Sequence, residues 1–285
     1  MRSVTWIASY PKSGNTWVRF IVANLMNPRL ASSAQVEQII PDVHAGFREA
    51  DLAGDGVLHV KTHLVFGDQM PFRDASSAAV YIVRNPLDVL VSNFNYRKLL
   101  VGSRAAALPV QQRLLGYVED FIRYGGDAEW IYKGLGTWAE NVDSWLGPAM
   151  PLRRLVIRYE TLRERPHHVI AELAAFLGLA PTADAIARVV AKTSFAAMRR
   201  MEEREIAKAK RGFFMNPAFQ WSHAQGMRFM HQGRIGAYRE VLSDEQLERA
   251  LDRFGPPMRR LGYLDPREPQ RIASPKIAAA HAAAE

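Results

Sequence analysis

The sequence predicts an α/β fold: a P-loop-like parallel sheet flanked by helices, in a single domain. Four short runs of β-branched and apolar residues, at 4–8, 57–63, 78–83 and 155–159, are typical of buried strands. Helical patterns separate these runs, and alternating strands and helices favour a parallel sheet. We expect one domain over residues 1–265, followed by a frayed tail rich in Pro and Ala over residues 266–285.

The composition limits the classes of function. Of the 285 residues, 48% are hydrophobic, which is enough for a sizeable core. The formal net charge of +8 favours anionic ligands, but charge alone does not choose between a nucleotide, a membrane surface and nucleic acid. The absence of cysteine excludes disulfides, thiolate catalysis and zinc sites of the cysteine type. No signal peptide or membrane-length apolar run is found, so we expect a soluble, cytoplasmic protein.

The first strand leads into a turn-rich loop over residues 9–15 and then into a helix from Thr16. This geometry directs backbone N–H groups and the positive end of a helix dipole at one point, where an anion can bind. The loop is not the version found in nucleoside triphosphatases, because Asn15 rather than lysine follows Gly14, and the lysine of the loop is Lys12. Taken alone, a simple surface turn is an equal alternative.

The second strand ends in polar residues, at Lys61 and His63. The carboxyl ends of parallel strands face the ligand crevice of such sheets. The two side chains are two positions apart, so they lie on one side of the strand. A loop histidine of no consequence is the alternative for His63.

The third strand runs directly into a second turn and helix. Pro86 suits the first helical turn, Asn85 can cap it, and Asp88 adds negative charge there. Arg84 lies in the turn, where a guanidinium can bind a phosphate with two hydrogen bonds. Ser92 lies two turns along the helix, where its alternative is a merely tolerated serine.

The second half of the chain predicts further helices and one glycine-containing loop. Residues 99–148 are aromatic-rich and predicted to be irregular, with an acceptor-binding lid as one interpretation, although the spacing of Trp138, Val142 and Trp145 favours core. Helices are expected at 166–177, 183–192 and, with Ser243 as cap, 243–261. The charged run 199–211 predicts a solvated helix face. Two glycines three apart, Gly233 and Gly236, favour a phosphate clamp.

Together these motifs resemble the soluble, cytosolic type of sulfotransferase that uses 3′-phosphoadenosine 5′-phosphosulfate (PAPS). The resemblance spans about residues 4 to 240, with each motif in the family's order. The matching stretches are Tyr10–Trp17, Lys61–His63, Arg84–Asp88 through Ser92, Arg158–Glu160, Thr193–Phe195 with Met198, and Phe229–Met230 with Gly233 and Gly236.

The resemblance implies catalytic roles for three residues. His63 would be the general base, Lys12 would contact the oxygen bridging phosphate and sulfuryl group, and Lys61 would steady the sulfuryl oxygens. Histidine suits the first role, because its pKa lies near neutrality.

The resemblance also implies a set of residues that bind PAPS and, after transfer, the product PAP. The 5′-phosphate would be held by Ser13, Gly14, Asn15 and Thr16, the 3′-phosphate by Arg84 and Ser92 with Met230, Gln232 and Gly233, and the adenine by Trp17, Tyr159, Thr193 and Phe195. One departure weakens this clamp: His231 and Gln232 stand where the family usually has Arg-Lys, and Arg228 or Arg234 would have to compensate.

We therefore predict transfer of the sulfuryl group from PAPS to a hydroxyl of a small molecule such as a phenol, an alcohol or a natural-product scaffold. Such transfer needs an in-line acceptor and a stabilised leaving oxygen rather than covalent chemistry from the protein. No metal, nucleic-acid or membrane partner is implied, and a homodimer is compatible with the sequence. The alternatives are a kinase-like phosphotransferase and a basic module that binds polyanions without catalysis.

Overall fold

Four parallel strands form the centre of the protein. The computed structural model describes residues 1–101, 109–148, 150–209 and 212–264. Within these residues the strands β1 to β4 span Ser3–Ser9, Val57–Thr62, Ser76–Val83 and Arg153–Arg158, in the spatial order β2-β1-β3-β4. All three pairings are parallel, which confirms the predicted fold class. The predicted tail lies outside the described residues, and the domain boundary at residue 265 stays a prediction.

Twelve α-helices are found in the described part of the chain. Helices α1 to α12 span Asn15–Met26, Ser33–Ile39, Pro86–Val101, Val110–Tyr124, Ala128–Trp130, Trp138–Leu146, Tyr159–Glu164, Pro166–Phe176, Ala183–Thr193, Phe195–Ala207, Gln220–Ala224 and Asp244–Arg260. Two predicted caps are confirmed: the side chain of Asn85 accepts from the backbone N–H of Leu87, and Ser243 forms a reciprocal capping box with Gln246.

The strands separate two hydrophobic clusters because successive side chains point to opposite faces. On one face Trp6 of β1 packs with residues of α4, α6 and α12, among them Phe121 and Phe254. On the other, Ile7 and Ile82 pack with residues of α1, α8, α9 and α10. Both faces of the sheet are therefore covered, as is usual for a parallel sheet.

The prediction of irregular structure over residues 99–148 is wrong. The described residues of this stretch form the end of α3, then α4 and α5, a π-helical turn at Ile131–Leu135, and α6. Glycines end or interrupt these helices, as at Gly125 and Gly134, and such glycines are equally typical of loops. The narrower expectation is confirmed, because Trp138, Val142 and Trp145 are all buried.

The prediction of a solvated face for residues 199–211 is correct only in part. Residues up to Ala207 continue α10, and residues 210 and 211 lie outside the described residues. Glu202 and Glu205 are 0% and 3% exposed, although their neighbours face solvent. Buried carboxylates need hydrogen-bond donors, and both have them.

Among the residues that the structure describes, no helix combines the length and apolar character needed to traverse a bilayer.

The positions of β3 and β4 in the sheet, one central and one at the edge, give a direct stability test. Replacing Ile82 of the central strand β3, which is fully buried, with alanine is expected to lower the free energy of unfolding by about 2–5 kcal/mol, because it leaves a cavity. Val156 of the edge strand β4 is 43% exposed, so Val156→Ala should cost less than about 1 kcal/mol. Urea unfolding measures both, and equal losses would contradict the assignment of central and edge strands.

Candidate active site

A cavity of about 750 Å³ opens at the carboxyl edge of the sheet. The segments that follow β1, β2 and β3 contribute to its wall, as parallel pairing requires. Every site residue predicted from the sequence lines it except Ser13. These lining residues are Lys12, Gly14, Asn15, Thr16, Trp17, Lys61, His63, Arg84, Ser92, Tyr159, Thr193, Phe195, Met230, Gln232 and Gly233. Ser13 is fully buried beside the cavity, and its hydroxyl has no partner in the described residues.

In the loop after β1, two residues adopt a left-handed backbone conformation before α1 begins. Lys12 has φ of +66° and Gly14 has φ of +103°. A side chain at residue 14 would also place its Cβ 2.7 Å from the ring of Tyr159, so glycine is needed twice over. Asn15 anchors the loop to β1, because its side-chain amide donates to Ile7 O at 2.9 Å.

The loop between β1 and α1 brings the N-terminus of α1 to the cavity. The first N–H groups of a helix have no intrahelical partner. In the described part of the chain, the N–H groups of residues 15–17 donate to no other protein group either. The corner therefore offers a row of backbone donors to an anion.

Lys12 brings a buried cation to the same corner. Its ammonium nitrogen lies 4.1 Å from the ring centroid of Tyr96 and 4.3 Å from that of Phe229. No carboxylate within the described residues forms a salt bridge with it. Burial, and then the charge of Arg84, lower the pKa of Lys12 to about 7. The rings stabilise the charged form by cation–π interactions without neutralising it.

His63, directly after β2, presents one free ring nitrogen. Its Nδ1 lies 2.8 Å from Ser9 O. Because a carbonyl oxygen only accepts hydrogen bonds, Nδ1 carries the proton and Nε2 keeps a lone pair. Burial, followed by the charges of Lys61 and His44, holds the pKa of His63 well below its usual value. The imidazole is therefore neutral near pH 7 and fit to accept a proton.

Lys61 is not a free ammonium, because its Nζ lies 2.8 Å from Oδ2 of Asp42. Burial lowers the pKa of Lys61, and the attraction to Asp42 opposes that shift. Burial alone would raise the pKa of Asp42, but the charge and hydrogen bond of Lys61 leave it lowered. Beside this pair, His44 accepts the backbone N–H of His63 at 3.0 Å.

Arg84 joins two loops of the cavity wall. Its Nη1 donates to Lys12 O at 3.2 Å and its Nη2 to Arg234 O at 2.9 Å. The guanidinium lies over the ring of Tyr159, 4.2 Å from the centroid. Its partners are thus carbonyl oxygens and a ring rather than a carboxylate, and it keeps its full charge toward the cavity.

Aromatic side chains line the wall between these cations. The hydroxyl of Tyr159 donates to Gly233 O at 2.9 Å, and the edge of its ring meets Trp17 with centroids 5.7 Å apart. Phe195 begins α10 and lies on the same wall. Thr193 is buried and its hydroxyl donates to Val189 O, so its oxygen can only accept a hydrogen bond from a ligand.

Two buried carboxylates hold the segment that carries Gly233. Asp88 lies in the first turn of α3 and accepts the backbone N–H of Gly236 at 2.8 Å, so it also anchors this loop. Glu202 accepts two further N–H groups at the other end of the segment. Of the two candidate replacement cations, Arg234 is paired with the exposed Glu240, whereas the partners of Arg228 among the described residues are backbone carbonyls.

Sequence reasoning missed several residues of this site. Asp42 and His44 lie in a stretch without strand or helix periodicity, and only the folded chain brings them beside β2. Tyr96 could have been found, because it lies four residues after Ser92 and therefore on the same face of α3. No cluster of three His, Asp or Glu side chains suited to a metal ion is found in the described ranges.

The comparisons with known proteins agree with one another. Residues 2–262 match the family model of the sulfotransferase domain. Mouse sulfotransferase 2B1 is 25% identical over 250 residues, which cover 85% of this chain and 68% of the relative. Mouse sulfotransferase 1B1 is 26% identical over 254 residues, which cover 85% and 78%.

A solved structure shows the same fold. The crystal structure of mouse sulfotransferase SULT7A1 complexed with PAP matches with a TM-score of 0.64 at 18% identity, covering 92% of this chain and 85% of the other. The resemblance drawn from the motifs is confirmed by the family model, which covers nearly the whole described chain. This chain belongs to the sulfotransferase family.

Proposed function

We propose that this protein transfers the sulfuryl group of PAPS to the hydroxyl of a small-molecule acceptor, with His63 as general base. The observation that carries the proposal is that Lys12, His63 and Arg84 line one cavity. Three separate strand ends thus supply two cations and one neutral base to a single ligand.

The donor set of the cavity fits PAPS. Lys12 and the free N–H groups of residues 15–17 suit the phosphosulfate end. Arg84 and Ser92, with the segment that carries Met230, Gln232 and Gly233, suit the 3′-phosphate. The aromatic wall between them suits the adenine, and a cavity of about 750 Å³ lies within the usual range for ligand sites. The PAP in the SULT7A1 complex supports the same donor.

When bound, PAPS supplies an activated sulfuryl group whose leaving group is a phosphate oxygen. His63 Nε2 accepts the proton of the acceptor hydroxyl. Lys12 places positive charge where negative charge develops on the leaving oxygen. Lys61, held by Asp42, contributes its remaining N–H groups to the sulfuryl oxygens.

Arg228 is the better candidate for the cation that the family has near the 3′-phosphate. It lines the cavity and keeps its charge, since it donates to the carbonyls of His223 and Met227. The charge of Arg234 is offset by Glu240.

The acceptor end favours an apolar or aromatic alcohol. Tyr96, Trp130, Leu135 and Phe219 line this part of the wall. Such side chains offer a ring-shaped acceptor stacking and burial rather than charge. Action in the cytoplasm and a homodimeric assembly remain predictions.

The function is tested by mixing the protein with labelled PAPS and a panel of phenols, alcohols and glycosides. We expect label transfer to a subset of the hydroxyl acceptors and thermal stabilisation by PAP. Stabilisation by ATP with Mg²⁺ but not by PAP would instead favour a phosphotransferase. Polyanion binding that collapses with salt, without any transfer, would favour the binding module.

Replacing His63 with alanine is expected to lower kcat by about 10²–10⁴-fold, because the general base is lost. PAP affinity, measured by calorimetry, should remain within a few-fold of wild type. His168→Ala is the matched control, since His168 is exposed on α8 and is not among the residues that line the cavity. Turnover retained in the His63 variant would rule out the base assignment.

The affinity for PAP is expected to fall as pH rises through about 7 toward 9. In the free protein the pKa of Lys12 is about 7, and a bound anion raises it, so binding takes up a proton. The dissociation constant should rise by up to about tenfold per pH unit in this range. The phosphates of PAP are already ionised there, with a pKa of ~6.

Lys12→Arg is the control for this pH dependence, because a guanidinium stays charged throughout. The pKa of His231 is lowered, mainly by burial, so this residue is neutral over the same range and adds no slope. Calorimetry at three pH values measures the effect. A wild-type profile as flat as that of the arginine variant would contradict the role of Lys12.

A further inference from the structure

Glu202 is a buried carboxylate that the proposed mechanism does not use. It lies in the middle of α10, is 0% exposed, and does not line the cavity. Its Oε1 accepts the backbone N–H of Phe229 at 2.5 Å and its Oε2 that of Met230 at 3.0 Å. One side chain therefore holds two consecutive amides of a segment distant in sequence.

The same point of the backbone is held from a second direction. Arg199, one turn earlier on α10, donates from Nη1 to the carbonyl oxygen of Met230. The N–H and the C=O of this residue are thus both bonded to α10. Burial raises the pKa of Glu202, while the two amides and the charges of Arg199 and His223 favour its ionised form.

The residues that follow this anchor form part of the cavity wall. Residues 231–234 line the cavity, and in the described ranges their backbone N–H groups donate to no protein acceptor. Asp88 holds the far end of the segment through Gly236. Four consecutive amides therefore lie between two carboxylate anchors and remain available to an anionic ligand.

We propose that Glu202 is a positioning residue of the donor site: by fixing residues 229 and 230 it directs the following amides into the cavity before the donor binds. This inference rests on the proposed function. His231 and Gln232 bring no permanent cation to this stretch, and Arg234 is paired with Glu240, so the contribution of residues 231–234 to phosphate binding depends on how their backbone is oriented. A loop that reached this arrangement only part of the time would bind in proportion to that fraction.

Glu202→Gln tests the role with little change in shape. The carboxamide keeps one acceptor oxygen but places an NH₂ group against a backbone N–H, so one of the two anchoring bonds is lost. We expect the dissociation constant for PAP and the KM for PAPS to rise about tenfold. The KM for the acceptor and kcat at saturating PAPS should stay at wild-type values.

Glu205→Gln is the matched control. Glu205 is also buried on α10 and accepts a backbone N–H, but its partner is Ser33 rather than the 229–238 segment. Its neutralisation should lower the melting temperature comparably and leave the affinity for PAP unchanged. Equal loss of PAP affinity in both variants would reduce Glu202 to a structural residue.

A substitution of the half-buried Arg199 gives a second test in case Glu202→Gln does not fold. Arg199→Gln removes the other hold on Met230 and should raise the KM for PAPS several-fold, again at unchanged kcat. Wild-type PAPS kinetics in the variants at 199 and 202 would overturn the inference alone. Failure of the wild-type protein to bind PAP would overturn the proposed function, and the inference with it.

Discussion

Parallel pairing of β1, β2 and β3 is the constraint on which the site depends. The carboxyl ends of parallel strands meet at one edge, so the residues that follow them are close in space although they are far apart in sequence. Lys12, His63 and Arg84 each come within a few residues of such an end. The close approach of Gly14 to the ring of Tyr159 then fixes how the first of these loops turns.

The charges of the site are arranged so that its cations stay available. Lys12 is held by two aromatic rings, and Arg84 by two carbonyls and a third ring. Among the acids, Asp88 and Glu202 are turned toward backbone N–H groups and Asp42 toward Lys61. Asp42 offsets the charge of Lys61, whereas Lys12 and Arg84 contact rings and carbonyls and keep the positive potential that an anionic ligand needs.

The strand ends could be predicted from the sequence because they depend on local patterns. A buried run followed by Lys61 and His63, or by Arg84, identifies a ligand edge once the sheet is known to be parallel. The partners of those residues could not be predicted in this way. Asp42 meets Lys61, which lies 19 residues later, and the stretch that carries Asp42 before β2 shows no clear strand or helix pattern.

The charged face of α10 shows the second limit of sequence reasoning. A highly charged run is usually solvated. Helical spacing does place Glu202 and Glu205 on the face of Met198 and Met201, but a carboxylate at such a position does not by itself predict burial. The burial of Glu202 arises from tertiary structure, because the 229–238 segment crosses one face of the helix and delivers two N–H groups there. The aromatic stretch 99–148 was predicted wrongly for a different reason: its helices are amphipathic, but the glycines that end them are equally typical of loops.

The cations that attract the donor also contribute to the state of the base. Burial is the main cause of the lowered pKa of His63, followed by the charges of Lys61 and His44, with a smaller contribution from Lys12. Together they keep the imidazole neutral in the free protein. An anionic donor placed among those cations offsets their effect on His63 and raises its proton affinity. Under the proposed function, the histidine would therefore become a stronger base only when the sulfuryl group is in place. Proton transfer would then be coupled to donor binding without any movement of the strand ends.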